Sequence, residues 1–280
     1  MKVLITGGSG QLGREFRDVL VKTKHKVYSF SRSELDVTNF TQVKDTLVRI
    51  EPDVVIHSGA YTKVDLAEDF HDEAYLANAI GTRNIAVVSQ EIQANLVYIS
   101  TDYVFDGEKE GKYNEFDIPN PQNIYGKSKL AGEYFVRDFH SKFFIVRTSW
   151  LYGKQGNNFV KTMLRLAEKG EVIKVVNDQK GSPTYTLDVA EKVTELIQTR
   201  LYGVYHITNS GECTWFEFAS KIFELVNKKV DILPVDSNNF PQKAKRPRSS
   251  VLDHLGLRLN GFSDMRSWEN ALESFLKKDT

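Results

Sequence analysis

Tyr125 and Lys129 lie four residues apart in a segment with a helical pattern, and this spacing suits acid–base chemistry. Because residues i and i+4 share one face of an α-helix, the phenol and the ammonium group come within reach of each other. A nearby ammonium favours the ionised form of a phenol, whose ordinary pKa is about 10, and so makes it a better proton donor. The pair therefore predicts a general acid that protonates an alkoxide developing on a substrate. Lys129 can also hold the ribose hydroxyls of a cofactor.

A hydroxyl side chain follows the predicted strand Leu96–Ser100 and completes the candidate catalytic group. In open α/β sheets, ligands bind outside the carboxyl ends of the parallel strands. Thr101 stands at such an end, where it can hydrogen-bond a substrate carbonyl and stabilise the negative charge that develops there. The sequence thus predicts three catalytic residues, which are Thr101, Tyr125 and Lys129.

Glycines recur at the junction of the first predicted strand and the first predicted helix. Gly7, Gly10 and Gly13 permit a tight turn, a close backbone approach to a pyrophosphate, and close contact between helix and strand. The unpaired N–H groups and the positive end of the helix then face the phosphates. Because strand, loop and helix follow one another in the required order, the loop predicts a dinucleotide site.

The residue type at the end of the second predicted strand indicates whether NAD(H) or NADP(H) binds. An acidic residue there binds a ribose 2′-hydroxyl, whereas an arginine accommodates a 2′-phosphate. Here Phe30 is followed by Ser31, Arg32 and Ser33, and the first acid is Glu34. Arg32 and its flanking serines favour NADP(H), and NAD(H) stays open as a second cofactor.

Short β-rich runs alternate with amphipathic helical stretches, which predicts right-handed βαβ units and a parallel sheet. The predicted strands are Val3–Thr6, Lys26–Ser31, Asp53–His57, Leu96–Ser100 and Phe143–Val146. The helical patterns begin at Gln11 and at Phe40 and also cover Asp72–Gln93, Asn123–Phe139, Asn158–Glu168, Leu187–Gln198 and Trp215–Val226. We predict an α/β fold with a Rossmann-type doubly wound parallel sheet over residues 1–153, which binds NAD(P). A smaller C-terminal α/β substrate-binding domain is predicted over residues 154–280, with some elements packing back on the sheet.

Composition limits the classes of function. The 280 residues contain 37 Lys and Arg against 37 Asp and Glu, so no net charge attracts nucleic acid or an anionic membrane. The single cysteine, Cys213, excludes an intramolecular disulfide and a thiolate-rich zinc site. No apolar run approaches the ~20 residues of a membrane span, and the N-terminal apolar run is too short for a signal peptide. We therefore expect a cytoplasmic protein with no nucleic-acid partner, no membrane partner and no metal.

Longer motifs are spread over nearly the whole chain. They are Gly-Gln-Leu-Gly at 10–13, Leu-Asp-Val-Thr at 35–38, Ala-Tyr-Thr-Lys-Val-Asp at 60–65, Ser-Thr-Asp-Tyr-Val-Phe-Asp-Gly at 100–107, Tyr-Gly-Lys-Ser-Lys-Leu-Ala-Gly-Glu at 125–133, Arg-Thr-Ser-Trp-Leu-Tyr-Gly at 147–153, Asp-Gln-Lys-Gly-Ser-Pro-Thr at 178–184 and Arg-Pro-Arg-Ser-Ser at 246–250. The glycine loop and the Tyr-x-x-x-Lys spacing resemble the extended short-chain dehydrogenase/reductase superfamily as a whole. The threonine–aspartate block, the Asp-Gln-x-Gly-x-Pro-Thr loop and the Arg-Pro segment resemble its dTDP-4-dehydrorhamnose reductase family.

The resemblance implies that hydride passes from a nicotinamide to C4 of a dTDP-sugar, dTDP-4-dehydro-6-deoxy-L-mannose. Tyr125 would protonate the carbonyl oxygen, Thr101 would polarise it, and Lys129 would tune the tyrosine and position the ribose. The family pattern also places eight residues along the dinucleotide, which are Gly10, Gln11, Leu12, Asp36, Val37, Ser58, Gly59 and Ala60. Asp102 and Trp150 match positions that line the sugar site of the family.

A short basic stretch, Lys243–Arg248, is predicted to lie near the nucleotide diphosphate of the substrate, because a guanidinium suits phosphate oxygens. We assign Arg246 as the ligand, with a solvated run of charges as the alternative. Some members of the family dimerise through a divalent ion bound by acidic residues. Glu15 is suitably placed for this, but no clear acidic pair follows Thr184, so a monomer and a homodimer both stay open.

Two other functions stay open at this point. One is a related nucleotide-sugar enzyme, either an epimerase or a reductase of another 4-keto sugar. The other is a non-catalytic regulatory protein resembling the methionine adenosyltransferase β subunit, which keeps this fold and much of the motif set. The chain also departs from the family pattern at His57-Ser58-Gly59, where the family commonly has Asn-Ala-Ala.

Overall fold

The computed structural model describes residues 1–240 and 242–279, and six of its strands form one parallel sheet. The strands in chain order are β1 (Lys2–Thr6), β2 (Lys26–Phe30), β3 (Val54–His57), β4 (Asn95–Thr101), β5 (Phe143–Thr148), β6 (Leu151–Tyr152), β7 (Ile173–Val176), β8 (Lys180–Gly181), β9 (Thr184–Tyr185), β10 (Gly203–His206), β11 (Cys213–Thr214) and β12 (Ile232–Val235). The strands of the central sheet lie in the order β10-β5-β4-β3-β1-β2. Successive strands are therefore added on one side of β1 and then on the other, and the strand order reverses between β1 and β3. Open α/β sheets bind ligands at such a switch point, outside the carboxyl ends of the strands.

Helices cover both faces of this sheet. In chain order the helices of the described residues are α1 (Gln11–Val21), α2 (Phe40–Ile50), α3 (Val64–Ala67), α4 (His71–Tyr75), α5 (Gly81–Glu91), α6 (Ile124–Phe139), α7 (Phe159–Ala167), α8 (Thr186–Leu196), α9 (Trp215–Leu225), α10 (Leu255–Leu259) and α11 (Trp268–Asp279). Of these, α1, α8 and α10 pack on one face of the sheet and α2, α5 and α6 on the other. Because successive residues of a strand point to opposite faces, Val3 and Ile5 pack with α1 and α8, whereas Leu4 packs with α2, α5 and α6. The strands are continuous apolar runs because they are buried on both faces of the sheet. The parallel sheet with helices on both faces confirms the predicted doubly wound α/β fold.

The long helical stretch predicted over Asp72–Gln93 is helical but is not one regular α-helix. A π-helical turn at Leu76–Ile80 separates α4 from α5. The main-chain oxygen of Asn78, inside this turn, accepts hydrogen bonds from the Thr82 hydroxyl at 2.7 Å and the Tyr98 phenol at 3.3 Å. These side-chain donors satisfy a carbonyl that a regular helix would pair with a main-chain N–H, and single π-turns of this kind often occur at functional sites.

The second half of the chain is divided between the central sheet and a separate apolar cluster. β10 pairs with β5 at the sheet edge, and α8 packs beside α1 in the core on one sheet face. The other elements surround a second core that includes Tyr152, Phe218 and Phe275. Three two-stranded sheets brace this core, and they are β11–β8, β12–β7 and β6–β9. The division into two domains at residue 153 stays a prediction, because elements from both sides of it share one sheet.

Within the described residues, no helix is both long and apolar enough to cross a membrane. In the same part of the chain, no three His, Cys, Asp or Glu side chains are grouped so that they could hold a metal ion. Glu15 is buried, and its carboxylate accepts a hydrogen bond from the Thr186 hydroxyl at 2.9 Å. This carboxylate therefore joins α1 to α8.

Candidate active site at the carboxyl ends of the parallel strands

The glycine loop after β1 makes backbone contacts that a side chain would block. Gly7 has a φ of 68°, and a Cβ placed there would lie 2.6 Å from the main chain of Gly59. A Cβ at Gly13 would overlap the main-chain oxygen of Gly7. Gly10 precedes α1, whose first turn has no acidic side chain and no side-chain cap. The N–H groups at this helix end are therefore suited to phosphate oxygens, and the cradle fits a dinucleotide.

Two more of the predicted cofactor residues begin α1. Gln11 Oε1 accepts a hydrogen bond from Asn158 Nδ2 at 3.2 Å, so the loop that precedes α7 lies over the start of α1. Leu12 is buried in the sheet core, which leaves its main chain as the part that a ligand can reach. This helix start is consequently covered by a loop from the second half of the chain.

The loop after β3 lies directly beside the glycine loop. Ser58 Oγ donates to the main-chain oxygen of Thr6 at 2.7 Å, and a Cβ at Gly59 would be in ordinary contact with the Gly7 backbone. Ala60 is exposed. His57 is fully buried with its Nδ1 2.7 Å from the Thr6 hydroxyl, and burial lowers the pKa of this imidazole to about 3. The departure from the family pattern thus places a neutral histidine under the switch point.

The segment after β2 contains the predicted determinant of dinucleotide choice. The main-chain N–H and the hydroxyl of Ser31 donate to the Glu34 carboxylate at 2.8 and 2.6 Å. Arg32 is exposed, and among the described residues it makes no hydrogen bond or ion pair. Asp36 accepts two hydrogen bonds that cap the following turn, and Val37 packs against the first residue of α5. Arg32 is therefore available to an anion at the end of β2.

The structure brings the side chains of Thr101 and Tyr125 next to each other at the end of β4. Thr101 ends β4, and Tyr125 lies in the first turn of α6, which Asn123 caps by accepting the N–H of Gly126 at 2.8 Å. A Cβ at Gly126 would overlap the main-chain oxygen of Tyr103, so this glycine lets α6 approach the turn that follows β4. The close approach holds the phenol beside the end of β4.

The electrostatics of this phenol are set mainly by its burial. Burial raises the pKa of Tyr125 to about 12, the Thr101 side chain opposes the rise, and the charge of Asp102 adds to it. The Lys129 ammonium donates to the β4 main chain at 2.6 Å and lies 4.1 Å from the ring centroid of Tyr98. The expectation that Lys129 favours the ionised form of the phenol stays a prediction, because in this arrangement the ammonium is engaged with β4 and Tyr98. At neutral pH the phenol keeps the proton that a general acid needs.

Two buried charges surround the catalytic pair. Burial lowers the pKa of Lys129 to about 7, and the charge of Glu133 opposes this fall. Burial raises the pKa of Asp102 to about 6, while its Oδ1 accepts the Thr101 hydroxyl at 3.0 Å. Asp102 Oδ2 is buried beside Ser250 and has no partner of normal hydrogen-bond geometry within the described residues. This oxygen is suited to a hydroxyl donor such as one on a sugar.

An aromatic wall stands next to the catalytic pair. Trp150 follows β5 with a φ of 46°, a left-handed conformation that bulky residues rarely adopt. Its indole stacks on Trp215 with a centroid separation of 3.5 Å, and a Cβ at Gly181 would overlap the same indole. The neighbouring Thr148, at the end of β5, pairs in register with Thr101. Backbone strain of this kind tends to occur at functional sites, which agrees with the predicted place of Trp150.

Arg246 lies near the site but is already engaged. Its guanidinium donates to both carboxylate oxygens of Asp65, at 3.0 and 2.8 Å, and lies near the side chain of Tyr103. The ring of Tyr103 contacts that of Tyr125 edge to face at 5.9 Å. Lys243 adds a second ion pair with Asp69. The segment Lys243–Arg248 is thus tied to α3, and a direct contact of Arg246 with a diphosphate stays a prediction.

Four residues that sequence reasoning missed complete the site, and they are Asn78, Tyr103, Glu133 and Trp215. Asn78 Oδ1 accepts the N–H of Tyr61 at 2.7 Å, and its Nδ2 donates to the Ser128 hydroxyl at 3.0 Å, so it links the β3 loop to α6. Glu133 continues the four-residue spacing of Tyr125 and Lys129, a signal that could have found it. Asn78 gave no such signal, because a π-turn has no sequence periodicity of its own.

Comparisons with known proteins agree with this geometry. The family described as the RmlD substrate binding domain matches residues 1–280. The spore coat polysaccharide biosynthesis protein SpsK of Bacillus subtilis is 42% identical over 277 residues, which are 99% of this chain and 97% of that protein. The dTDP-4-dehydrorhamnose reductase of Aggregatibacter actinomycetemcomitans is 38% identical over 286 residues, covering 98% of this chain and 97% of that protein. A crystal structure of the dTDP-4-dehydrorhamnose reductase of Bacillus anthracis in complex with NADP has a TM-score of 0.97 and 54% identity, with 99% of each chain covered.

Proposed function

The chain belongs to the RmlD substrate binding domain family, and from this premise we propose that it is a dTDP-4-dehydrorhamnose reductase. It is an oxidoreductase whose cofactor is NADP(H). The proposed reaction reduces the C4 keto group of dTDP-4-dehydro-6-deoxy-L-mannose and yields dTDP-L-rhamnose. The observation that carries the proposal is the contact of Thr101 with Tyr125 at the carboxyl end of β4, in the same sheet edge as the glycine cradle.

When bound, the dinucleotide supplies the hydride. The chain supplies the proton, since Tyr125 is held beside Thr101 with its hydroxyl protonated at neutral pH. Thr101 accepts the N–H of Tyr103 at 3.2 Å and donates to Asp102 at 3.0 Å in the unliganded site, and we propose that its single hydroxyl proton turns from Asp102 to the carbonyl oxygen of a bound substrate. A fixed donor at a developing oxyanion and a positioned general acid are the two contributions that a carbonyl reduction needs from a protein.

The remaining predicted residues are proposed to bind. Gly7, Gly10 and Gly13 approach the pyrophosphate with their main chain, and Arg32 accommodates the 2′-phosphate. Lys129 is proposed to hold the nicotinamide ribose from the floor of the site. The others stay proposals of the same kind, and they are Gln11, Leu12, Asp36, Val37, Ser58, Gly59 and Ala60 for the cofactor, and Asp102, Trp150 and Arg246 for the substrate.

A single assay tests the reaction. The protein is incubated with NADPH and enzymatically prepared dTDP-4-dehydrorhamnose, and the loss of the reduced-nicotinamide absorbance is followed. We expect oxidation of NADPH together with formation of dTDP-L-rhamnose, identified by chromatography and by proton NMR of the sugar. If the protein binds NADPH but does not oxidise it in the presence of this substrate, the proposed reaction is contradicted.

The same assay separates the competing functions. A reductase of another 4-keto sugar would oxidise NADPH with dTDP-4-dehydro-6-deoxy-D-glucose and not with the rhamnose precursor. An epimerase would interconvert nucleotide sugars without net consumption of NADPH. The non-catalytic regulatory alternative has less support, because two of the reported relatives are named dTDP-4-dehydrorhamnose reductases.

A further inference from the structure

A fully buried carboxylate lies behind the catalytic residues and joins three secondary-structure elements. Glu133 of α6 accepts hydrogen bonds from Arg147 Nε at 2.9 Å and from Arg147 Nη2 at 2.7 Å. It also accepts the hydroxyl of Ser100 at 2.6 Å. Ser100 on β4 and Arg147 on β5 are register partners in the sheet. One carboxylate thus connects α6, which carries the phenol, to the strand end that carries the threonine hydroxyl.

Glu133 also faces Lys129, one helical turn before it. The ammonium of Lys129 is buried, and the titratable groups that interact with it are Glu133 on α6, Tyr98 on β4 and His57 on β3. Arg147 on β5 lies beyond Glu133. Of these groups, Glu133 is the one carboxylate, and it is ion-paired with Arg147 at 2.7 Å. It is therefore the charge that can compensate a buried ammonium.

We propose that Glu133 is a positioning residue, which keeps the Lys129 head group charged and fixes α6 against the ends of β4 and β5. The inference rests on the proposed reductase function, because the groups it positions are those assigned to that reaction. Tyr125, Lys129 and Glu133 then form one functional stripe at four-residue spacing on the inner face of α6.

The energetic reason is the cost of a buried charge. Desolvation disfavours the ammonium and brings the pKa of Lys129 down to about 7, whereas the carboxylate of Glu133 acts in the opposite direction. Without the negative charge, the pKa of Lys129 falls further and the amine is neutral at physiological pH. A neutral amine donates weaker hydrogen bonds to ribose hydroxyls than an ammonium does, so the cofactor is held less well and turnover falls.

The test is the pH dependence of kcat in Glu133→Gln, which keeps the shape of the side chain and removes its charge. We expect the alkaline limb of the profile to move to lower pH by about one unit, the size expected for loss of a close opposite charge. Activity should recover relative to wild type as the pH is lowered, because acid restores the ammonium. A profile that is lowered uniformly and keeps its alkaline limb would overturn the proposal.

Matched variants separate the charge from the packing. Ser100→Ala removes one hydrogen bond to the carboxylate and leaves its charge, so kcat should fall modestly while the limb stays in place. Glu133→Asp keeps the charge on a shorter side chain and should behave in the same way. If either variant moves the limb as far as Glu133→Gln does, the charge of Glu133 is not the cause and the proposal fails.

Glu133→Gln leaves Arg147 as an uncompensated buried charge and can fail to fold. The double variant Glu133→Leu with Arg147→Met removes both charges and fills the space, a replacement that buried ion pairs often tolerate. It should also move the alkaline limb to lower pH, since Glu133 is the charge that acts on Lys129. An unmoved limb in a folded double variant contradicts the proposal.

A second readout does not depend on the reaction. In protein with carbon-labelled lysine, NMR titration of the Lys129 ε-methylene, assigned with Lys129→Arg, reports the charge of this residue directly. We expect its midpoint to fall in Glu133→Gln and in the double variant. If the wild-type protein reduces no substrate, the proposed function fails, yet this titration still decides whether Glu133 sets the charge of Lys129.

Discussion

The two walls of the site are built in different ways. The sheet wall consists of the strand ends, the short loops after β1 and β3 and the helix starts, which carry Gly7, Gly59, Thr101 and Tyr125. Its two glycines are held by close main-chain contacts. The C-terminal wall consists of Trp150, Gly181, Trp215 and Arg246, which come from separate loops and helix ends. The sheet wall has little freedom to move without breaking the fold. The C-terminal wall depends on stacking and on an ion pair, and is the part that can adapt to a sugar nucleotide.

This difference between the walls corresponds to the two tasks of the site, which are catalysis and substrate recognition. A proton donor and an oxyanion donor must be held within a few tenths of an ångström, and rigid elements achieve this better than loops. Substrate recognition needs adaptable side chains that can close on a ligand. We therefore expect damage to the sheet wall to lower turnover or cofactor binding, and damage to the C-terminal wall to raise KM for the sugar nucleotide.

The largest effect is expected at the centre of the sheet wall. Tyr125→Phe removes the proton donor and leaves the packing of the ring, so kcat should fall about 10²–10⁴-fold, or roughly 3–5 kcal/mol of barrier. The dissociation constant for NADPH, measured by fluorescence, should change little. Tyr103→Phe is the matched control, since this second phenol contacts the first ring but is directed to Arg246. Equal losses of kcat in the two variants would show that the donor is wrongly assigned.

A matched pair of glycine variants compares the walls directly. In Gly13→Ala the new methyl group overlaps the backbone of Gly7, and in Gly181→Ala it overlaps the indole of Trp150. Overpacking of this kind costs about 1–3 kcal/mol. We expect the first variant to weaken NADPH binding about tenfold or more and the second to raise KM for the sugar nucleotide by a similar factor, as steady-state kinetics would show. Thermal melting of both variants controls for global unfolding. The comparison would be refuted if Gly13→Ala raised KM for the sugar nucleotide and Gly181→Ala weakened NADPH binding.

The sheet wall is also the part that sequence patterns predict well. The glycine loop, the end of β4 and the Tyr-x-x-x-Lys pair are each set by residues within a few positions of one another, so local periodicity and spacing are sufficient. The stacking of Trp150 on Trp215 and the pairing of Asp65 with Arg246 join distant segments, and no single-sequence pattern encodes them. The direction in which the Lys129 ammonium points could not be predicted from the sequence, for a related reason. Four-residue spacing fixes a shared helix face, whereas the β4 carbonyl and the Tyr98 ring decide where the ammonium points.

A smaller effect is expected at the ion pair of the C-terminal wall, and it decides what Arg246 does. Arg246→Met and Asp65→Asn both release the segment Lys243–Arg248 from α3. If Arg246 acts through this attachment alone, the two variants and their double variant should each raise KM for the sugar nucleotide by the same factor, about three- to tenfold. A much larger increase in Arg246→Met than in Asp65→Asn would instead indicate direct binding of the diphosphate. Unchanged KM in all three would remove Arg246 from the substrate site.

The smallest effect is expected at Arg32. This residue belongs to the sheet wall but lies in an exposed loop, so it tests whether the rigidity of the sheet wall explains the difference between the two walls. Its exposed guanidinium is proposed to meet a 2′-phosphate, so Arg32→Ala should raise KM for NADPH about threefold and leave KM for NADH nearly unchanged, a difference of about 0.6 kcal/mol. Glu34→Gln is the counterpart, because the Glu34 carboxylate takes the Ser31 N–H and hydroxyl that a phosphate would use. Removing this negative charge should favour NADPH over NADH. If both variants change the two KM values in parallel, the loop after β2 does not choose the cofactor, and Ser31, Arg32 and Glu34 contribute to the sheet wall by structure alone.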